Sequence, residues 1–190
     1  MLIISQNLSN YDFLLPIDCV FRINLAWINN LDELKNLLIK HSKHKIFLDL
    51  PINRTKPPNN TYTLNDLVPI LQSNLNVKYF AISNVNSKQD LEPFLKLIPK
   101  SISIVPKIEN MMGINNIQEI IDELKYEKKI IMLDHDDLYS SLARLNEPSS
   151  NFKIYINTLI DFCKNNDVTL LRTVGVVFSD DEERTTQYIK

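Results

Sequence analysis

The stretch SIVPKIENMMGINNIQEI, Ser103 to Ile120, begins as an apolar strand and ends with helical periodicity. Lys107 and Glu109 stand between, two residues apart and just after Pro106. Side chains at i and i+2 leave the same face of a strand. An ammonium and a carboxylate therefore project together where strand gives way to helix. Buried charges need partners, and ionisable groups gathered at an open strand end are poised for chemistry. Other predicted strand ends carry polar groups as well: Arg22 and Asn24, then Asp49, then Asp134, Asp136 and Asp137, then Arg172 and Thr173.

Glu109 and Asp137 fall at the ends of adjacent predicted strands, about 5 Å apart laterally. Two carboxylates at that spacing repel unless a cation lies between them. Mg²⁺ takes one or two carboxylates and keeps its other positions for water and substrate oxygens. The competing arrangement is a structural ion network in which Glu109 is bridged to Lys107 or Arg22. Lys107 can place positive charge beside negative charge that develops in a reaction, or simply bridge Glu109. Arg22 has the donor fork to bind carboxylate or phosphate oxygens, or to pair with Asp49. His135 is the only histidine near this rim, and Trp27 reads as a packing residue.

Alternating apolar and helix-period segments must position these groups. Strands are predicted at Leu2–Ser5, Cys19–Leu25, Lys45–Leu50, Val77–Ile82, Ser101–Val105, Lys129–Leu133 and Val168–Thr173. Helix starts are readable at Asn30, Thr63, Ser87, Asn115 or Asn116, and Ser149 or Ser150, with Pro69 straining the second helix. Near-continuous apolar strands alternating with helices predict an α/β fold whose parallel sheet is covered by helices. An open doubly wound sheet and a (β/α) barrel both fit, and both bind ligands beyond the strands' carboxyl ends. The most loop-like stretch is RTKPPNNTYT, Arg54 to Thr63.

Bulk composition sets the limits. The chain has 190 residues, 44% of them apolar and 23% charged, which suits a single globular domain over residues 1–190. A net charge of -2 argues against a nucleic-acid surface or an acidic membrane face. No apolar run approaches a membrane span, and no basic-then-apolar leader opens the chain, so cytoplasm is the expected location. Cys19 and Cys163 have no metal-ligand spacing and read as reduced thiols. Only two glycines are present, Gly113 and Gly175, which removes P-loops and Gly-rich dinucleotide loops.

Four segments together resemble the barrel domain of pyruvate kinase. IDCVFRINLAW (Ile17–Trp27) is similar to the family's strand-two segment, and IFLDLP (Ile46–Pro51) with Arg54 to its strand-three segment. PKIENMMGINNIQEI (Pro106–Ile120) resembles the Lys-Ile-Glu-Asn segment of strand five and is the most specific of the four. IMLDHDDL (Ile131–Leu138) resembles the segment after strand six. AISNVNSKQDL and TLLRTVG are weaker matches for strands four and seven, and the order is kept over about residues 1–178. The departures are equally specific. No lid domain follows strand three, no C-terminal regulatory domain is present, and no eighth strand is evident. Ala26 and Trp27 replace a Ser and a His, and His135-Asp136 replaces an Arg-Gly.

The resemblance implies a minimal or incomplete (β/α) TIM-type barrel of about seven recognisable strands. It implies Mg²⁺ or Mn²⁺ at Glu109 and Asp137, with Lys107, Arg22 and Thr173 catalytic. It places Arg22, Asn24, Asp49 and Arg54 around the substrate. It also implies K⁺ near Asn24 and Asp49, although Ala26 in place of the family's Ser favours a hydrogen-bond network there. Three readings follow. The first is a pyruvate-kinase-like enzyme that holds phosphoenolpyruvate or a keto acid as a metal-stabilised enolate. The second is a carbon–carbon lyase of the aldolase or citrate-lyase type. The third is a non-catalytic binding or assembly subunit, dimerised across an open strand edge. None involves nucleic acid or a membrane.

Overall fold

In the computed structural model, residues 3–6, 15–52 and 57–172 are described. Seven strands form one sheet in sequence order: β1 Ile3–Ser5, β2 Val20–Asn24, β3 Lys45–Leu50, β4 Val77–Ile82, β5 Ser103–Ile108, β6 Lys129–Leu133 and β7 Val168–Arg172. Every neighbouring pair is parallel. The helices are α1 Leu31–Lys40, α2 Leu64–Ser73, α3 Glu92–Leu97, α4 Met111–Asn115, α5 Ile117–Glu123, α6 His135–Arg144 and α7 Ser150–Asn165. The sheet curls into a half-barrel. Among the described residues β1 and β7 do not pair with each other; the α/β class expected from the sequence is present, and a complete TIM barrel is not.

Two apolar clusters follow from the period-two alternation of the strands. The larger holds Phe21, Ile23, Leu48, Phe80, Ile82, Ile104 and Ile131 on the face that packs against the helices. The smaller holds Val20, Phe47, Ala81, Val105, Ile130 and Met132, which belong to the opposite, concave face. That concave face turns polar along the strand direction. Arg22 follows Val20, Asp49 follows Phe47, Ser83 follows Ala81, Lys107 follows Val105, and Asp134 follows Met132, each by two residues. The apolar layer thus forms a floor under an ionic rim.

The helix starts obey their local chemistry. The Asn30 side chain accepts from Glu33 N (2.9 Å), and Thr63 with Asp66 forms a reciprocal capping box. α2 carries Pro69 inside it without ending there. Three elements depart from expectation, the first being the short helix α4, which precedes the start read at Asn115 or Asn116. β5 runs on to Ile108, because Pro106 is accommodated beside Ile82 of β4 while the β5–β6 register begins beyond it, at Lys107. Lys107 therefore lies inside a strand. The helix α6 was not expected from its charged start, yet Asp134 caps it by accepting from the backbone N–H groups of Asp136 (3.1 Å) and Asp137 (3.3 Å).

Candidate metal and anion site at the strand ends

The rim is built across five adjacent strands, β2 to β6. Register pairs Asn24 with Asp49 and Asp49 with Ala81, so side chains of the concave face line up across β2, β3 and β4. Arg22 donates from Nε to Asp49 Oδ2 at 3.1 Å, and its Nη2 closes the same ion pair. Lys107 Nζ lies 2.8 Å from Glu109 Oε1 and 3.6 Å from Asp49 Oδ1, and donates to Ser83 Oγ at 3.2 Å. Asp49, Lys107 and Glu109 are all buried. Glu109 Oε2 accepts from Asn84 N at 2.8 Å. Its Oε1, like Asp49 Oδ1, has no partner in hydrogen-bond geometry among the described residues; each meets Lys107 by distance only.

Glu109, Asp134 and Asp137 converge, with one oxygen from each within 4.8 Å of the others. Glu109 is buried, while the two aspartates are half-buried. The donor set is all carboxylate oxygen, which suits a hard divalent cation. Ligand oxygens around Mg²⁺ stand about 2.9–4.2 Å apart at the usual bond length, so a small inward movement forms the site. Asp134 uses Oδ1 as the α6 cap and keeps Oδ2 for other work. The residues therefore fit a metal ion.

Electrostatics order the charges. Burial pushes the Asp49 carboxyl up, but Lys107 and Arg22 outweigh burial and hold its pKa below the ordinary range. Burial opposes the Lys107 charge, yet Asp49 and then Glu109 override it and raise its pKa, so the amine stays protonated. Glu109 is raised, first by burial and further by Asp137, against the pull of Lys107. The two partners' shifts agree once the sharing is considered: Lys107 divides its attraction between two carboxylates, whereas Glu109 also faces another acid. Among Arg22, Lys107, Asp49, Glu109, Asp134 and Asp137, acids outnumber bases four to two.

The other residues singled out in the sequence fall as follows. The Asn24 side chain accepts from Ala26 N (3.0 Å) and caps the tight helical turn after β2. That bond is local to the turn and does not join β2 to β3, where a network was expected. Asp136 lies in the first turn of α6 with helical backbone and needs no left-handed conformation. Arg172 Nε donates to His135 Nε2 (3.2 Å), which ties that ring to the end of β7. Trp27 is exposed at the rim. Arg54 and Thr173 lie outside the described residues. Sequence reasoning passed over Ser83 and Asn84 and did not choose Asp134 as a ligand. Asp134 was findable as the third acid in DHDD, and Ser83 as the residue two beyond Ala81 on the concave face.

A groove runs along α7 and β7, lined by Ile160, Cys163, Lys164, Leu170 and Arg172. Among the described residues no helix is long and apolar enough to cross a membrane. No family model matches the chain, and no curated protein matches it. Among solved structures, the crystal structure of RipC from Yersinia pestis is similar, with a TM-score of 0.61 and 13% identity. That match covers 89% of this chain and 79% of RipC. At such identity the likeness concerns the α/β fold alone.

Proposed function

We propose that this chain is a divalent-metal-dependent, pyruvate-kinase-like enzyme on a TIM-type frame that binds phosphoenolpyruvate or a pyruvate-type keto acid and stabilises its enolate. The observation that carries this reading is Glu109. Its carboxylate, whose buried Oε1 is ion-paired with the protonated Lys107 at 2.8 Å, converges with Asp134 and Asp137. When bound there by Glu109, Asp134 and Asp137, Mg²⁺ or Mn²⁺ supplies positive charge to an enolate oxygen. Lys107 adds a fixed positive charge from the neighbouring position, and Asp49 holds both Lys107 and Arg22 toward the rim. Arg22 retains Nη1 for a substrate carboxylate.

A second reading, a carbon–carbon lyase that forms the same enolate, is favoured by the connection between Leu50 and Leu64. Phosphoryl transfer relies on positioning and on excluding water, and this short connection carries no covering domain. Thermal unfolding with Mn²⁺ and oxalate, phosphoenolpyruvate or pyruvate tests the shared core. Ligand at about 100 times its Kd adds about 2.7 kcal/mol, a rise of about 5–10 °C for a chain this size. The rise should vanish in Glu109→Gln. No rise in the unmodified protein with any of the three ligands would end both readings. Assays of ADP phosphorylation and of aldol cleavage then separate them.

A further inference from the structure

We propose that Asn84 is a positioning residue for Glu109, holding that carboxylate in register with Asp134 and Asp137 through a left-handed backbone turn. The inference rests on the metal-site reading above. Ser83 N donates to Leu50 O of β3 at 3.2 Å, and Val85 N donates to Lys107 O of β5 at 3.1 Å. The chain just beyond β4 thus bonds first to one neighbouring strand and then to the other. Asn84, between them, has φ of 55°. Its N–H is turned out of the ladder and donates to Glu109 Oε2, while its side-chain Nδ2 donates to Ile52 O at 2.7 Å. Asn is among the few residue types that tolerate this conformation, and such strain tends to be kept where function needs it.

The far side of the turn is clamped by the most distinctive segment of the sequence. A Cβ added at Gly113 would stand 2.5 Å from Val85 O and 3.2 Å from Ile108 Cγ2. Only glycine lets α4 approach Val85 this closely. Asn110 donates from Nδ2 to Asn86 Oδ1, and Asn116 donates from Nδ2 to Asn86 O at 2.8 Å. The residues of NMMGINN that are not apolar are therefore largely spent on fixing the β4 turn. The turn in turn fixes one oxygen of Glu109 and leaves the other toward Lys107.

The test is Mn²⁺ titration by electron paramagnetic resonance on the full chain, comparing unmodified protein with Asn84→Gly, Asn84→Ala and Asn84→Val. Glycine keeps the left-handed backbone and the N–H, so its Mn²⁺ affinity should stay within about threefold. Ala and Val favour leaving that conformation, and loss of an outer-shell partner costs about 10–100-fold in metal affinity. Gly113→Ala pushes the turn from the other side and should weaken Mn²⁺ binding in the same range. If Val prevents folding, the Ala and Gly113 variants, checked as folded by circular dichroism, decide the matter. Ala and Gly113 variants that bind like the unmodified protein overturn the inference, as does a Gly variant as weak as Ala. A merely structural turn would lower the melting temperature of these variants and leave affinity unmoved. Absence of Mn²⁺ binding in the unmodified protein would instead remove the metal reading on which this stands.

Discussion

Lys107 Nζ lies 2.8 Å from Glu109 Oε1, both side chains springing from the same face at the end of β5. The ammonium also reaches Asp49 two strands away, so one lysine links β3, β4 and β5 through Asp49, Ser83 and Glu109. A salt bridge of this kind contributes little net stability over an apolar replacement of the whole group, but removing one member is costly.

Lys107→Met should therefore destabilise the fold by about 3–5 kcal/mol, since two buried carboxylates lose their cation. The double variant Lys107→Met with Glu109→Gln should recover part of that loss. Urea unfolding of the three proteins measures both. A single variant as stable as the unmodified chain would show that the pairing is not maintained in solution.

Asp134 caps α6 and is proposed to hold the metal, two roles that substitution can separate. Asp134→Ser keeps an N-cap oxygen for Asp136 N and Asp137 N but removes a carboxylate. Its stability without metal should match the unmodified protein, whereas Asp134→Ala should lose about 1 kcal/mol. Both should weaken Mn²⁺ binding. Calorimetric titration with Mn²⁺ alongside unfolding curves reports the two effects, and undiminished affinity in the Ser variant would exclude Asp134 as a ligand.

Gly113→Ala should destabilise by about 1–3 kcal/mol, because the new methyl meets backbone rather than a side chain that can swing aside. The position is helical, so an alanine would otherwise help. A rise in melting temperature would contradict the packing described.

His41 gives the chain an acid sensitivity independent of the rim. It is buried and stacks on Phe21 with centroids 3.7 Å apart, and its Nε2 has no hydrogen-bond partner among the described residues. Burial, then the charges of His44 and Lys40, push its pKa down. The unfolded chain therefore takes up a proton first as pH falls. The stability due to neutral His41 is intact above its unfolded pKa of about 6.5 and is lost as pH drops from there through the lower folded value. Melting temperatures between pH 7.5 and 5 should fall less steeply for His41→Phe. Equal slopes would assign the acid sensitivity elsewhere.

Much of the frame was visible in sequence because strand composition and capping chemistry are local. Lys45–Leu50, Val77–Ile82 and Lys129–Leu133 match the observed strands, and Asn30 and Thr63 cap where their neighbours predict. Pro106 hid the end of β5, since a proline inside a central strand is tolerated only where its missing donor is not needed. α6 was hidden because its first turn is acidic, although that is where a helix welcomes negative charge. Within the site, the i, i+2 spacing revealed that Lys107 and Glu109 share a face. The Arg22–Asp49 pair was one of two readings the sequence left open, whereas the Lys107–Asp49 contact depends on register between strands far apart in the chain. The Asn84 turn depends on one backbone dihedral, for which an asparagine in a polar loop is a weak sign.

The clasp of Asp49 and Glu109 around the Lys107 ammonium also limits what bonds this amine can make. Attack on a ketone requires a free lone pair, and an amine held protonated between two carboxylates does not offer one. A keto acid lodged at this rim would keep its carbonyl oxygen and would form no imine, so borohydride should trap no adduct at Lys107.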